Sequence, residues 1–137
     1  MKVVFDANVI LAALARGGTC DRALRLAIER HRIVASAPIL ADVREKLVAN
    51  FRFSPESAEE MTALVRRVGR VVRALAVPRS SCRDPDDVAV LGTALRARAA
   101  CIVTGDADLL VLGEFRGIAI VTPRAFLTLG AVLTEEE

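Results

Sequence analysis

Residues 3–14 read VVFDANVILAAL, and two polar side chains interrupt what is otherwise a continuous apolar run. The segment KVVF (2–5) is apolar enough to predict a short buried strand. A carboxylate that directly follows such a strand is costly to bury unless something pairs with it. Asp6 and Asn8 therefore indicate that the chain leaves a sheet at a place where polar groups are needed.

The chain has 137 residues, 53% of them hydrophobic, which suffices for one domain with a real core. We assign this domain to residues 1–130 and expect the acidic stretch 131–137 to be a frayed tail. No apolar stretch approaches the length of a membrane helix, and the start MKVVFD shows no signal-peptide pattern. These features predict a cytoplasmic protein that does not interact with a membrane.

Residues that could act as nucleophiles or soft metal ligands are few and isolated. The cysteines Cys20, Cys82 and Cys101 lie far apart and form no CxxC pair, which argues against a disulfide framework or a zinc site. His31 is the single histidine, and a solvated position at a helix end is its simplest interpretation. Chemistry based on a cysteine–histidine or serine–histidine pair is thus disfavoured.

The formal net charge is only +2, but the nineteen cationic side chains include just two lysines. Arginine is suited to bidentate contacts with phosphate, although a GC-rich genome would produce the same bias. Trp and Tyr are absent and there are only five Phe, which argues against a platform on which bases stack. We expect any nucleic acid to be held through its phosphate backbone.

Strand-like and helix-like segments alternate along the chain. The predicted strands are 2–5, 32–36, 70–75, 101–105 and 117–122, and the predicted helices are 7–15, 19–31, 38–50, 55–69, 85–99 and a short one from Pro123. Such alternation predicts a parallel sheet with helices on both faces, which binds ligands outside the carboxyl ends of its strands. Asp6 and Asp106 each follow a strand, so we expect them at the same edge of the sheet.

Seven of the eight aspartates fall in four places along the chain: Asp6; Asp42; Asp84, Asp86 and Asp87; Asp106 and Asp108. Any one of them has an ordinary explanation, since Asp84, Asp86 or Asp108 could cap a helix. If the fold brings all four places together, however, their carboxylates would repel one another and raise one another's pKa values. A divalent cation removes that repulsion, and oxygen ligands without His or Cys indicate Mg²⁺ or Mn²⁺.

Two acids on the third predicted helix compete for a place in such a site. The apolar stripe of this helix consists of Ile39, Leu40, Val43, Leu47 and Phe51. At about 100° per residue, Asp42 lies near the edge of the stripe, whereas Glu45 lies almost opposite it. We therefore favour Asp42 as the acid that leans into a cleft and keep Glu45 as the alternative.

Four segments, in this order, resemble the motifs of PIN domains: VFDANVI, ILADVREKL, RDPDDVAVLGTAL and TGDADLL. The resemblance covers residues 2–129, and the spacing is closest to that of bacterial PIN proteins described as toxins. It implies a Rossmann-like three-layer α/β/α sandwich with a central parallel sheet. It also implies Mg²⁺- or Mn²⁺-dependent ribonuclease activity and the toxin role of a toxin–antitoxin pair. We accordingly expect RNA as substrate, an antitoxin as partner and a homo-oligomer, most simply a dimer.

In these motifs, the positions of the family's four acids correspond, in order, to Asp6, Asp42, Asp87 and Asp106. The second acid of the family is usually glutamate, and the matching position here holds the shorter aspartate. The resemblance implies that the metal is held, directly or through water, by Asp6, Asp87 and Asp106, while Asp42 helps to bind it or acts on the attacking water. Supporting roles fall to Asn8, which would orient a carboxylate or a water, and to Thr104, Glu45 and Asp108.

The leading hypothesis is hydrolysis of RNA phosphodiester bonds by a metal-activated water. A PIN fold that binds RNA or protein with weakened catalysis is an alternative, which Asp42 in place of glutamate keeps open. An aspartate-based phosphotransfer domain would also carry an aspartate after its first strand. However, Asn8 stands where the phosphatase pattern has a second aspartate, and a receiver needs a late lysine, whereas the lysines here are Lys2 and Lys46.

Overall fold

The structure is a computed structural model that describes the backbone of residues 1–136 and the side chains of residues 1–129. Its strands are β1 (Lys2–Phe5), β2 (Arg32–Ala35), β3 (Arg70–Val71), β4 (Cys101–Val103), β5 (Glu114–Phe115) and β6 (Ile118–Val121). Its helices are α1 (Ala7–Ala15), α2 (Gly18–Arg30), α3 (Ala37–Phe51), α4 (Pro55–Val68), α5 (Pro85–Ala97), α6 (Ala107–Leu110) and α7 (Pro123–Glu136). A turn of 3₁₀ helix covers Arg79–Ser81.

Within this described part, the strands form one six-stranded sheet in the order β3-β2-β1-β4-β6-β5. Neighbouring strands are parallel except for the antiparallel pair of β5 and β6. The register of β1 and β4 places Phe5 opposite Val103. The predicted parallel sheet is confirmed, and β5 is an addition that the sequence did not predict, because a strand of two residues shows no periodic pattern.

The central strands are covered on both faces. Val3, Val4 and Phe5 of β1 are buried in succession, and so are all three residues of β4. Because successive strand residues point to opposite faces, continuous burial requires helices on both sides of the sheet. On one side, the Phe5 ring meets that of Phe126 in α7 edge to face, with 5.8 Å between their centroids. The arrangement is the three-layer α/β/α sandwich that the family resemblance implies.

The carboxyl ends of β1 and β4 form a shared polar edge. The amide of Asp6 donates to the carbonyl of Val103 over 3.1 Å, and the amide of Thr104 donates to the carbonyl of Val121 over 2.9 Å. Asp6 and Thr104 thus leave the sheet side by side. Helices α1 and α6 begin directly after this edge, so their first turns face the same space.

One predicted strand is much shorter in the structure. The segment 70–75 pairs with β2 only through Arg70–Val71, and its last bond to β2 comes from the Val72 amide. The chain then leaves the sheet to follow α5, where the Leu75 amide donates to the Gly92 carbonyl over 3.0 Å. The apolar pattern of this segment therefore reflects packing on a helix as well as pairing in the sheet.

The predicted break between the first two helices is confirmed. Arg16 and Gly17 separate α1 from α2, and Gly17 and the first residue of α2, Gly18, have φ angles of 75° and 71°, which glycine adopts without strain. In residues 1–136, none of the helices combines the length and apolar character that crossing a membrane requires. The helix predicted from Pro123 is longer than expected, since α7 continues to Glu136. The side chains of the tail predicted at 131–137 lie outside the described residues, and that tail stays a prediction.

Gly92 marks a contact between backbones that should be sensitive to one added methyl group. A Cβ at this position would lie 2.2 Å from the carbonyl oxygen of Leu75. We expect Gly92→Ala to lower the free energy of unfolding by about 1–3 kcal/mol, as at other overpacked sites, although alanine has the higher helix propensity. Urea unfolding followed by circular dichroism measures the change.

Gly105→Ala is the matched control, because a Cβ at Gly105 would meet nothing within 4 Å. This variant should unfold within about 0.5 kcal/mol of the wild type. Equal stability of Gly92→Ala and the wild type would contradict the close approach of α5 and the segment after β3.

Candidate active site

A cleft of about 670 Å³ opens at the carboxyl edge of the sheet. Its walls come from the start of α1, one face of α3, the start of α5 and the residue that precedes α6. The acidic residues that line it are Asp6, Asp42, Glu45, Asp84, Asp86, Asp87 and Asp106. Among the described residues that line the cleft, Lys46 is the one cation. The four acids predicted to be catalytic thus meet in one place.

Asp6 turns from β1 into α1 and is only 4% exposed. One carboxylate oxygen accepts the amide of Val9 over 2.9 Å and caps α1, and the other accepts the hydroxyl of Thr104. Burial raises the pKa of Asp6, the two hydrogen bonds lower it, the charge of Asp106 raises it and that of Lys46 lowers it. The net result is a raised pKa. The polar interruption of residues 3–14 is therefore a paired carboxylate at the rim of a cleft.

Thr104 is fully buried and links two acids. Its hydroxyl donates to Asp6, and its oxygen accepts the amide of Asp106 over 2.9 Å. Asp106 in turn accepts the amide of Asp108 over 2.7 Å and caps α6. The sequence suggested Asp108 as the cap of this helix, and the structure corrects it to Asp106, because α6 begins at Ala107, two residues before the start that a cap at Asp108 would give.

The start of α5 brings a further group of acids to the cleft. Asp84 is the N-cap and accepts the amide of Asp86 over 3.0 Å. Asp87 follows in the first turn and is 7% exposed. Oxygen atoms of Asp84, Asp87 and Asp108 all lie within 4.8 Å of one another. The cluster therefore includes Asp84, which the sequence explains as a helix cap alone.

Burial, the largest cause, and the charges of Asp106, Asp84, Asp6 and Asp108 together raise the pKa of Asp87 to about 7. The carboxylate of Asp87 is thus close enough to be repelled by the other two predicted metal ligands, Asp6 and Asp106, and by Asp84 and Asp108. The signal that could have identified Asp84 is its spacing, because residues three apart in a first helical turn lie on the same side.

The wall formed by α3 presents both of the competing acids, since Asp42 and Glu45 line the same cleft. Glu45 is exposed, as the helix phase predicts, and Asp42 is half-buried. Asp42 forms an ion pair with Lys46, with 3.3 Å between Oδ2 and Nζ. The same ammonium group donates to Oδ1 of Asn8 over 3.4 Å. The Asn8 side chain therefore accepts its hydrogen bond from a lysine, whereas the sequence predicts that it orients a carboxylate or a water.

The cysteines and the histidine do not offer a nucleophile. Burial raises the pKa of the thiols of Cys20 and Cys82, and it raises that of Cys101 to about 11. A thiol with a raised pKa stays protonated near neutral pH. The His31 ring packs against Phe126, with 5.9 Å between ring centroids.

The arrangement of carboxylates fits a hard divalent cation. Asp6 and Asp87 are buried beside acids that raise their pKa values, so the site gains from a positive charge. Carboxylate oxygens are the ligands that Mg²⁺ and Mn²⁺ prefer, and Mg²⁺ keeps several waters beside one or two carboxylates. Among the described residues, the acids whose oxygens lie close enough together to share such an ion are Asp84, Asp87 and Asp108.

The raised pKa of Asp87 should make the metal-free protein less stable as the pH rises. Between the ordinary value of 3.8 and about 7, folded Asp87 keeps a proton that the unfolded chain has lost, so increasing pH favours unfolding. We expect Asp87→Asn to raise the free energy of unfolding by about 1 kcal/mol at slightly alkaline pH, since solvent screens part of the repulsion. At acid pH the difference should disappear. Urea unfolding in EDTA across this pH range measures it.

Divalent metal should stabilise the wild type through preferential binding to the native state. We expect Mn²⁺ or Mg²⁺ to raise the Tm, and Asp87→Asn to lose most of that gain. Asp21→Asn is the control, because Asp21 pairs with Arg25 over 2.9 Å outside the cleft and should leave the metal response intact. An unchanged Tm of the wild type in millimolar metal would count against the site.

Comparison with known proteins agrees with this fold. Among solved structures, it resembles a chain of the crystal structure of VapBC2 from Rickettsia felis bound to a DNA fragment from their promoter, with a TM-score of 0.65. The two are 11% identical, over 89% of this chain and 98% of the other, so the likeness concerns the fold alone. No curated protein matches the chain. The family model of the PIN domain matches residues 2–108, and the chain therefore belongs to the PIN domain family.

Proposed function

We propose that this protein is a metal-dependent endoribonuclease that hydrolyses RNA phosphodiester bonds with an activated water. The observation that carries the proposal is the convergence of Asp6, Asp87 and Asp106 in one cleft at the carboxyl edge of the sheet. Membership of the PIN domain family supports it. The raised pKa of Asp87 supports it further, because carboxylates held this close need a cation to remain ionised.

The metal would be Mg²⁺ or Mn²⁺, held by Asp6, Asp87 and Asp106, with Asp84 and Asp108 beside them. When bound, such an ion polarises the scissile phosphate and makes a water a nucleophile near neutral pH. The donor set fits, since it consists of carboxylates at the start of helices and includes two buried members. No side-chain nucleophile is needed.

The residues of the chain would position these ligands before substrate arrives. Thr104 holds one oxygen of Asp6 and the amide of Asp106, so the two carboxylates keep a fixed relation. Asp42 approaches from α3 and would help to bind the metal or orient the attacking water. Its shorter side chain and its ion pair with Lys46 are the features that favour a second candidate, a PIN module that binds RNA or protein with weakened catalysis.

We also propose that the protein is the toxin of a toxin–antitoxin pair, acting on RNA in the cytoplasm as a homodimer with an antitoxin protein as partner. Two observations support this: the spacing of the four motifs, and the likeness in fold to a chain of VapBC2, a complex described with promoter DNA. Asn8 lacks the carboxylate that the phosphatase form of the phosphotransfer alternative would need.

The reaction itself is the first test. RNA incubated with the protein and Mn²⁺ should yield 5′-phosphate and 3′-hydroxyl ends, because the nucleophile is a water rather than the 2′-hydroxyl. EDTA should abolish cleavage, and Asp6→Asn should slow it by about 100-fold or more, as loss of a metal ligand does. Gel assays with end-labelled RNA and end-specific enzymes measure both.

Asp6→Asn should keep the fold, since the amide can still cap α1 and one repelling charge is gone. His31→Gln is the control for side-chain chemistry and should cleave like the wild type. Cleavage that persists in EDTA, cleavage by Asp6→Asn near the wild-type rate, or products with cyclic phosphates would refute the hydrolytic mechanism. The absence of any cleavage by the wild type in Mn²⁺ would favour the binding module.

Asp42 and Glu45 form a matched pair for the second acid, because both lie on α3 and line the cleft. Asp42→Asn should reduce cleavage by about tenfold or more, whereas Glu45→Gln should change it little. Both substitutions remove one charge at nearly constant volume, so circular dichroism should report equal folding. The reverse result would assign the role to Glu45.

A further inference from the structure

A second, smaller depression of about 310 Å³ lies between α1 and α3. Its lining residues are Asn8, Leu11, Ala12, Arg16, Asn50 and Phe51. Asn8 and Asn50 also line the acidic cleft, so the two cavities adjoin. We refer to the path from Lys46 past Asn8 and Asn50 to Arg16 as the α1–α3 groove.

Cations stand at both ends of the α1–α3 groove. Lys46 contacts Asp42 of α3 and Asn8 of α1, which places its charge where the groove meets the acidic cleft. Arg16 follows α1, and its guanidinium carbon lies 5.5 Å from the centre of the Phe51 ring. Among the side chains of residues 1–129, no carboxylate forms an ion pair with Arg16. The groove therefore carries two cations, of which Lys46 is paired with Asp42, beside a cleft that is lined by seven acids.

Stability alone does not account for these two cations. A partly exposed lysine–aspartate pair contributes about 0–1 kcal/mol, and an exposed arginine over a ring contributes about 0.5–1 kcal/mol. The Lys46 side chain is 34% exposed and Arg16 is exposed, so both can reach a bound anion. An anionic polymer that lies along the groove would gain both contacts.

We propose that the α1–α3 groove binds the backbone of the RNA strand next to the cleaved bond, with Lys46 and Arg16 each contacting a phosphate. The identity of the polymer rests on the proposed function. A strand that enters the acidic cleft needs cations on its path, because the carboxylates repel its phosphates. Both sides of the cleft carry acids, namely Asp42 and Glu45 on α3 and Asp84, Asp86 and Asp87 on α5. Among the described lining residues, only the α1–α3 side also has cations, Lys46 and then Arg16, which makes it the favourable route.

The groove would hold the strand without reading its bases. Arg16 covers the ring of Phe51, so this ring is not an open surface for base stacking. The middle of the path is lined by the amides of Asn8 and Asn50, which are suited to sugar or phosphate oxygens. The expected contribution is thus independent of sequence and sensitive to salt.

Fluorescence anisotropy of a labelled single-stranded RNA tests the proposal, with Ca²⁺ in place of Mg²⁺ and the RNA checked for integrity on a gel. Each lost phosphate contact should reduce the slope of log affinity against log salt by about 0.7. We expect this reduction for Arg16→Ala, and about twice that for Lys46→Ala combined with Arg16→Ala. The double variant should bind about tenfold more weakly at low salt. Lys46→Arg keeps the charge and should keep most of the affinity.

Two matched controls lie at the opposite edge of the sheet. Arg116 lies 5.1 Å from the centre of the Phe115 ring, much as Arg16 lies over Phe51, but in the turn between β5 and β6. Lys2, the other lysine, begins β1 and donates to the carbonyl of Ala97 over 3.2 Å. Arg116→Ala and Lys2→Ala should both keep the affinity and salt slope of the wild type.

If Arg16→Ala and the double variant keep the wild-type slope of log affinity against log salt, the proposal is wrong. The groove would then bind another anion, such as an acidic protein segment. Cleavage of the same RNA by the wild type in Mn²⁺ is scored separately. A reduced slope without any cleavage would keep the groove and refute the nuclease. Cleavage with an unchanged slope would keep the nuclease and refute the groove.

Discussion

The parallel pairing of β1 with β4 fixes the position of every other part of the site. Phe5 lies opposite Val103, so the next residues, Asp6 and Thr104, leave the sheet together and form a hydrogen bond. Thr104 then holds the amide of Asp106, which extends the same alignment to a second acid. A shift of one residue in this register would turn the buried side chains of β1 to the wrong faces. The core and the polar edge are therefore specified by the same hydrogen-bond ladder.

Several acids in the cleft both line it and cap a helix. Asp6, Asp84 and Asp106 are each the N-cap of a helix, and each accepts a backbone amide with one oxygen. A cap of this kind stabilises a protein by about 0.5–2 kcal/mol, which offsets part of the repulsion among the carboxylates. It also fixes the orientation of the second oxygen. A dense group of acids is thereby compatible with a stable apo protein.

The features that could be predicted from sequence are those with a local cause. Buried strands appear as short apolar runs, and the acids that follow them meet because parallel strands share a carboxyl edge. The double use of Asp84 was missed because a helix cap accounts for that residue, although its spacing of three from Asp87 carried the signal. β5 has only two residues, which is too short for a periodic pattern. In the segment 70–75, an apolar run looks the same whether it pairs in the sheet or packs on α5. The contact of Lys46 with Asn8 depends on how closely α1 and α3 approach, which no pattern within either helix contains.

The strand order also has a consequence for how the chain is synthesised. β4 lies in the middle of the sheet, yet β1, β2, β3 and α5 all precede it in the chain. Until Cys101 and the residues after it have left the ribosome, β1 has an unpaired edge, and Asp6 lacks both Thr104 and Asp106. A nascent chain thus holds only fragments of the cleft. Whatever chemistry the cleft performs can begin only after β4 and the residues up to Asp106 have been synthesised.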